Sequence, residues 1–330
     1  MDVAFLVNAV DELDTAMTTV MLIEAAVRRG LTVAVAGVAD LELATDGHVA
    51  ARAIRAPAPA APRGLDGERT AWLSALKSGG GHTVDLGHID HLVIRTNPAR
   101  DRARWWAHHL ALDAAERVAE HGVRVVNHPR GLRRAAGKHH LLRLPQDVRP
   151  PTLVSHDPVA LAGFVAATDR PTVLKPVHGT RGRGVFLVRP GDPNLGAIIE
   201  LLTADDYAVA QAWVPGAEAG DVRVIVQGGR PLEIGGATAA IRRVPSDGDF
   251  RSNLHAGGRA ERVDVTPGMR AVAEAVGRRL ANDGIMLAGI DLIGEHVIEV
   301  NVHSPGGLRD AERFYGVDFC DAIIHRCIET

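Results

Sequence analysis

The chain has 330 residues, more than one small core uses, so two or three packed subdomains are expected. Apolar residues make up 46% and charged residues 23%, the balance of a globular protein, and the formal charge of −3 provides no basic field for a dedicated nucleic-acid binder. No apolar run approaches the roughly 20 residues of a membrane span, so no membrane-spanning helix is expected.

The opening MDVAFLVNAV has no basic region and soon reaches Asp11, Glu12 and Asp14, unlike a signal peptide. The cysteines Cys320 and Cys327 lie two helical turns apart without CxxC spacing, so packing roles in a reducing cytoplasm are expected. Residues 3–7 read as a strand, 15–29 as a helix stopped by Gly30, and 32–36 as a second strand, a β-α-β opening that predicts a parallel α/β layer. It lacks a GxGxxG turn. Residues 56–64 and 78–82 read as loops. A strand at 92–95, a helix at 101–120 and a strand at 123–126 complete a first unit ending near Asn127.

Asp157-Pro158 reads as an N-cap and first-turn pair opening a helix to about residue 168. Strands at 173–177 and 185–188 flank a glycine-rich turn, and 209–213, 222–226 and 232–234 suggest one antiparallel sheet. A helix at 267–282 and a hairpin at 288–302 follow. The expected organisation is an α/β unit over 1–127 and two α+β units over 128–206 and 207–330.

Chemistry concentrates in the second half. In AGIDLIGEHVIEVNVHSP, a three-residue turn at Gly294, Glu295 and His296 would set Asp291 opposite Glu299, with Asn301 on the same face and Ile290, Leu292, Ile298 and Val300 on the other. Facing carboxylates repel unless neutralised, and a divalent cation such as Mg²⁺ with phosphate oxygens and water would do so. A solvated acidic face is the alternative. VLKPVHGTRGRGVFLV carries Lys175 in a strand and a three-glycine loop, His178–Gly184, suited to a flap over phosphates, although a plain turn fits equally. VAQAWVPG, with Gln211 and Trp213, could line an adenine pocket or be an ordinary strand. The polar segment AIRRVPSDGDFRSNLHAGGR is either a disordered loop or a substrate-closing lid. No HExxH or GxSxG motif occurs among these segments, and the pairs His108-His109 and His139-His140 read as surface or structural. Trp105 and Trp106 are expected to pack.

In this order the segments resemble the prokaryotic glutathione synthetase family of ATP-grasp ligases. The most specific stretches are VLKP with its glycine loop, RPGDPNLGAI, RSNLHAGGR and GIDLIG…IEVNVHSP. The resemblance implies an ATP-grasp fold, α/β and α+β, behind an N-terminal parallel α/β domain. It implies ATP and Mg²⁺ as cofactors, a small carboxylate and a small amine as substrates, and a homo-oligomer, dimeric or tetrameric. Lys138 and Lys175 would meet the nucleotide phosphates, with Gly179, Gly182 and Gly184 in the loop beside His178. Gln211, Trp213 and Val214 would lie by adenine, and Asp221 and Arg223 near the nucleotide and its phosphates. Arg243, Arg251 and Asn253 would work with Arg223 in catalysis from in or beside the lid. Asp291, Glu299 and Asn301 would hold magnesium, and Arg95, Ser304 and Pro305 would face the substrates. The implied reaction makes an amide through an acyl phosphate, and γ-glutamylcysteine plus glycine is the implied pair.

Two departures bear on the substrates. Where the family has Lys-Asp-Pro-Pro, this chain has Thr96, Asn97, Pro98 and Ala99, and Gly306, Gly307, Leu308 and Arg309 replace Thr-Cys-Ile-Arg. Another acid and amine with the same mechanism, or a non-catalytic ATP-binding module, are the alternatives.

Overall fold

The computed structural model describes residues 1–58, 66–180, 182–252 and 257–329. The apolar run Asp2–Val7 forms the central strand of a seven-stranded sheet, buried on both faces as parallel strands require. It pairs in parallel with Thr32–Gly37 and His91–Ile94, and the latter pairs in parallel with Arg124–Val126. Helix Thr18–Arg28 crosses between the first two strands. The expected parallel layer is therefore present.

Its far edge was less legible. Val49–Arg55 pairs antiparallel with Thr32–Gly37 and also takes Gly81–Asp85, so part of the expected loop at 78–82 is a strand. The helix expected at 101–120 starts later, at Trp105, behind 3-10 turns at Pro98–Arg100 and Arg102–Arg104. Trp105 and Trp106 do not pack as expected. They are 50% and 63% exposed, because the buried face of Trp105–Glu120 is carried by Ala107, Ala111, Ala114, Ala115 and Val118.

A four-stranded antiparallel sheet follows, in the order Phe186–Val188, Thr172–Pro176, Ala208–Ala212, Thr152–Ser155. Helices Pro158–Ala167 and Leu195–Thr203 cover it, and Asp157 caps the first by accepting the Val159 N–H at 2.9 Å. The third sheet has Asp221–Gln227 at its centre, between Ala240–Val244 and the hairpin strands Leu287–Ile293 and His296–Asn301. Residues 209–213 and 222–226 thus sit in different sheets, because the Pro215-Gly216 turn and Gly220, in left-handed backbone, redirect the chain between them. A Cβ on Gly220 would lie 2.0 Å from the Arg243 carbonyl oxygen.

The third sheet shares two apolar cores with the first. The C-terminal helix Phe319–Glu329 returns against Thr18–Arg28, fastened by Arg28–Asp318 at 2.8 Å and Arg29–Asp321 at 2.6 Å. Cys320 is buried within it, and neither cysteine is bonded to the other. Among the described residues, no helix is long and apolar enough to cross a membrane.

Candidate active site

Strand periodicity assembles the centre of the site. Asp221 and Arg223, two residues apart, share one face of the Asp221–Gln227 strand. Asp221 pairs in register with Arg243, Arg223 with Asp291, and Asp291 with Glu299. The result is a charged row across four strands. Arg223 Nε and Nη2 donate to Asp291 Oδ1 and Oδ2, each at 2.7 Å, and Arg243 Nη2 donates to Asp291 Oδ2 at 2.6 Å. Arg243 Nε also donates to Asp221 Oδ1 at 2.7 Å, and Ser252 Oγ donates to Asp221. Burial pushes the Asp291 carboxyl up, but the two guanidiniums outweigh it and hold it below its usual range. At Asp221 burial wins and the carboxyl rises, despite Arg243.

The hairpin differs from expectation in its turn. Ile293 pairs with His296, leaving a two-residue Gly294-Glu295 turn, and a bulge after Asp291 restores the Asp291–Glu299 pairing. Val297 takes the core position opposite Leu292, and Ile298, expected on the apolar face, lines the cavity instead. Asp291 also has partners that the sequence reading did not foresee, Arg223 and Arg243 from the strands Asp221–Gln227 and Ala240–Val244. Glu299 has no ion-pair or hydrogen-bond partner among the described residues and lines the cavity. Asn301 Nδ2 donates to Asp291 Oδ2 at 3.0 Å, and the Asn301 amide oxygen has no hydrogen-bond partner among the described residues. No cluster of three His, Cys, Asp or Glu side chains arranged for a metal occurs among the described residues. Of the expected metal set, the oxygens that line the cavity are the Glu299 carboxylate and Asn301 Oδ1, hard donors that suit Mg²⁺ completed by phosphate and water, while Asp291 is engaged by the arginines beneath them.

The four-stranded sheet supplies the opposite wall of the cavity, which encloses about 350 Å³. Lys175 is buried there and donates to Gln211 Oε1 at 2.9 Å. Burial pulls its ammonium down to about 8, against partial support from Glu299. Lys138 Nζ donates to the Gly179 carbonyl at 2.7 Å and so ties down the start of the glycine loop. Gly179, Gly182, Trp213 and Val214 line the same space.

Residues 249–252, in the segment expected to be a lid, approach both walls. Arg251 pairs with Asp249 at 2.7 Å and donates from Nη1 to the Gly182 carbonyl at 3.1 Å, and Phe250 meets Trp213 edge-on with ring centroids 6.3 Å apart. Phe250, Ser252 and Ile298 were missed by sequence reasoning. The first two sit in a polar loop with no periodicity, and the third is moved by a bulge without a composition cue.

The remaining expected residues divide. Arg223, Arg243, Arg251, Asp221, Ser304 and Pro305 line the cavity. Gly184, His178, Asp291 and Arg95 do not. His178 is held at the loop base by Asp206, at 2.8 Å from Nδ1. Asp291 lies buried beneath the arginines. Arg95 is buried behind the Ser304–Pro305 segment, donating to Thr19 Oγ1 at 3.2 Å and the Pro305 carbonyl at 3.1 Å, and burial lowers its pKa to about 10. The Ser304 hydroxyl turns to the Arg95 and Thr96 carbonyls, from a left-handed backbone at φ 48°. Asn253 lies outside the described residues. His108, buried and 2.9 Å from Asp101 Oδ2, is structural.

Residues 1–133 match the model of the prokaryotic glutathione synthetase N-terminal domain, and residues 138–316 match that of the prokaryotic glutathione synthetase ATP-grasp domain. The chain belongs to the prokaryotic glutathione synthetase family. It is 35% identical over 332 residues to the glutathione synthetase of Synechococcus elongatus, covering 98% of this chain and 97% of that one. The glutathione synthetase of Xanthomonas axonopodis pv. citri is 34% identical over 82% of each chain. Among solved structures, D-cycloserine synthetase DcsG superposes with a TM-score of 0.64 at 20% identity, over 98% of this chain and 99% of that one, a likeness of fold. The chain is thus an ATP-using carbon–nitrogen ligase with the ATP-grasp fold, and the sequence resemblance is borne out at the level of family, fold and enzyme class.

Proposed function

We propose that the chain joins γ-glutamylcysteine to glycine, forming glutathione with release of ADP and phosphate. The observation that carries this most directly is the charged row from Arg243 to Glu299 facing the same cavity as Lys138, Lys175 and the glycine loop. Such an arrangement suits a reaction that transfers a phosphoryl group to a carboxylate and then lets an amine displace it. Little covalent chemistry is needed from the protein; positioning and charge neutralisation do the work.

In this proposal Gln211, Trp213, Val214 and Ile298 border the base, while Lys138, Lys175, Gly179 and Gly182 receive the phosphates. Arg223 and Arg243 neutralise charge on the transferring group, with Asp221 fixing Arg243. Glu299, Asn301 and Asp291 would hold Mg²⁺, which supplies further charge neutralisation at the phosphates when bound. Phe250, Arg251 and Ser252 keep water from the acyl phosphate. Asn253 belongs with this lid by sequence. Ser304 and Pro305 border the substrates, and Arg95 acts behind them, setting the Pro305 carbonyl; His178 and Gly184 support the loop.

The proposal includes the division into 1–127, 128–206 and 207–330, a cytoplasmic location and a homo-oligomer, for which exposed Trp105, Trp106 and Leu110 offer apolar surface. A second pair of substrates for the same mechanism is favoured by one observation: the departures at Asn97–Ala99 and Gly306–Gly307 both line the cavity. ADP release with γ-glutamylcysteine, glycine, ATP and Mg²⁺, with mass spectrometry of the product, tests the assignment. Glutathione at about 1 s⁻¹ or faster supports it. Silence with this pair, alongside turnover with another acid and amine, overturns it.

A further inference from the structure

A second cavity, of about 380 Å³, opens on the first sheet and shares no lining residue with the active-site cavity. Its floor is the carboxyl end of the parallel strands Asp2–Val7 and Thr32–Gly37, at Asn8 and Gly37. Crevices at the carboxyl ends of parallel strands collect ligands. Asn8 divides the two spaces. Its Oδ1 accepts the Asn97 N–H at 2.7 Å and its Nδ2 donates to the Asn97 carbonyl at 3.2 Å, so its amide is engaged on the active-site side.

The charges around the second cavity divide into engaged and free. Arg104 donates to Asp101 Oδ2 at 2.9 Å and to Glu12, and Asp40 Oδ2 accepts the Gly37 N–H at 2.9 Å. These contacts shape the walls. The side chains of Arg52, in strand Val49–Arg55, and Lys77, the last residue of helix Asp66–Lys77, make no ion pair or hydrogen bond among the described residues. Gly81 leaves room for the first: a Cβ there would lie 3.0 Å from Arg52 Nε. Asp11, in the segment after Asp2–Val7, is likewise without a partner among the described residues. The strand carrying Arg52 lies on the far side of Thr32–Gly37 from Asp2–Val7, so charge of opposite sign reaches the space from different elements. Val10 and Ile54 add apolar surface.

We propose that this cavity is a second binding site, for a zwitterionic amino acid or short peptide, whose carboxylate meets Arg52 and Lys77 and whose ammonium meets Asp11. A simple anion would leave Asp11 repelling it, and a simple cation would be repelled by Arg52 and Lys77. A ligand carrying both charges complements both sides. The volume falls in the range of small-molecule sites, and the apolar side chains suit the carbon skeleton of such a ligand.

Calorimetry on the full chain tests this, with a non-hydrolysable ATP analogue and Mg²⁺ present and with glycine or glutathione as titrant. Wild type is compared with the double variant Arg52→Ala/Lys77→Ala and with Asp11→Asn. These side chains have no partner among the described residues to lose, so the variants should fold, with kcat and KM within about twofold of wild type. Wild type is expected to show a binding event that the double variant loses and that Asp11→Asn weakens about fivefold or more. The titrant that gives it distinguishes a free amino acid from a peptide. No such event in wild type, isotherms of the double variant that match wild type, or acetate displacing the ligand as well as glycine does, overturns the proposal. Binding is read directly, so wild-type silence in ADP release with γ-glutamylcysteine and glycine bears on the ligase substrates alone.

Discussion

Arg223 grips both oxygens of Asp291 at 2.7 Å from the adjacent strand, so the carboxylate expected to bind metal is paired with a guanidinium. This separates two substitutions that sequence alone would treat as equivalent. Asp291→Asn leaves Arg223 and Arg243 with Asp221 as their shared carboxylate, and breaking a buried charge network of this kind costs about 3 kcal/mol. Glu299→Gln breaks no contact among the described residues and should stay within about 0.5 kcal/mol of wild type in denaturant unfolding. Its turnover should fall about 100-fold or more, the effect of losing several kcal/mol of charge stabilisation at the phosphates. Equal destabilisation by the two variants, or full activity in Glu299→Gln, would count against the metal role.

Lys175 gives the site a pH limb. Burial lowers its pKa from the ordinary lysine value to about 8, so the free enzyme holds a charged ammonium below that pH and loses it above. A charged Lys175 attracts phosphate, so kcat/KM for ATP should be level on this limb below about 8 and decline as pH rises through it. Bound phosphate favours the charged form, which moves the corresponding limb of kcat to higher pH. Lys175→Met should lower kcat/KM for ATP and abolish the limb; a limb unchanged in that variant would assign it to another group.

The lid contacts predict leakage. Arg251 reaches the Gly182 carbonyl and Phe250 leans on Trp213, so residues 250–251 bridge the proposed lid to the wall proposed for the nucleotide. In Phe250→Ala, water should reach the acyl phosphate more often, raising the ratio of ADP released to amide formed by about twofold or more, with the unfolding midpoint little changed. A ratio fixed at one in this variant would show that Phe250 does not help exclude water.

The central apolar strand, the Asp157 cap and the helix at Pro267–Asn282 were legible in the sequence because local rules decide them: buried runs, capping side chains and proline at a first turn. The hairpin register came out right through a compensating pair of errors, a turn one residue too long and a bulge not foreseen. Periodicity cannot show a bulge, because one inserted residue looks like an ordinary strand residue. Partner choice was similarly hidden. The Arg223–Asp291 and Arg243–Asp221 pairs join positions 68 and 22 residues apart, and strand order alone brings them together. Arg95 illustrates the converse: a residue matched by motif proved to lie one layer behind the cavity.

Asn127 ties the first unit to the charged hairpin, and its loss should be felt at both. It is buried at the end of Arg124–Val126, accepts the Leu287 N–H at 2.8 Å on Oδ1, and donates from Nδ2 to the Leu287 carbonyl at 2.8 Å and the Val302 carbonyl at 3.1 Å. Leu287 opens the hairpin and Val302 follows its end, so one amide closes it at the base. Asn127→Leu keeps the volume and strands three buried backbone groups; at about 1–3 kcal/mol for each unmet group, with relaxation offsetting part, a loss of about 3 kcal/mol is expected in denaturant unfolding. Asn127→Asp makes a sharper test. An ionised carboxylate still accepts from Leu287 but faces two carbonyls, so the folded state favours the protonated acid and raises its pKa above the unfolded value near about 4. Because the native state then binds more protons, this variant's stability relative to wild type should be highest at acid pH and fall as pH rises from about 4 through the raised pKa. A pH-independent difference between Asn127→Asp and wild type would mean that the two carbonyls do not need the Asn127 donor.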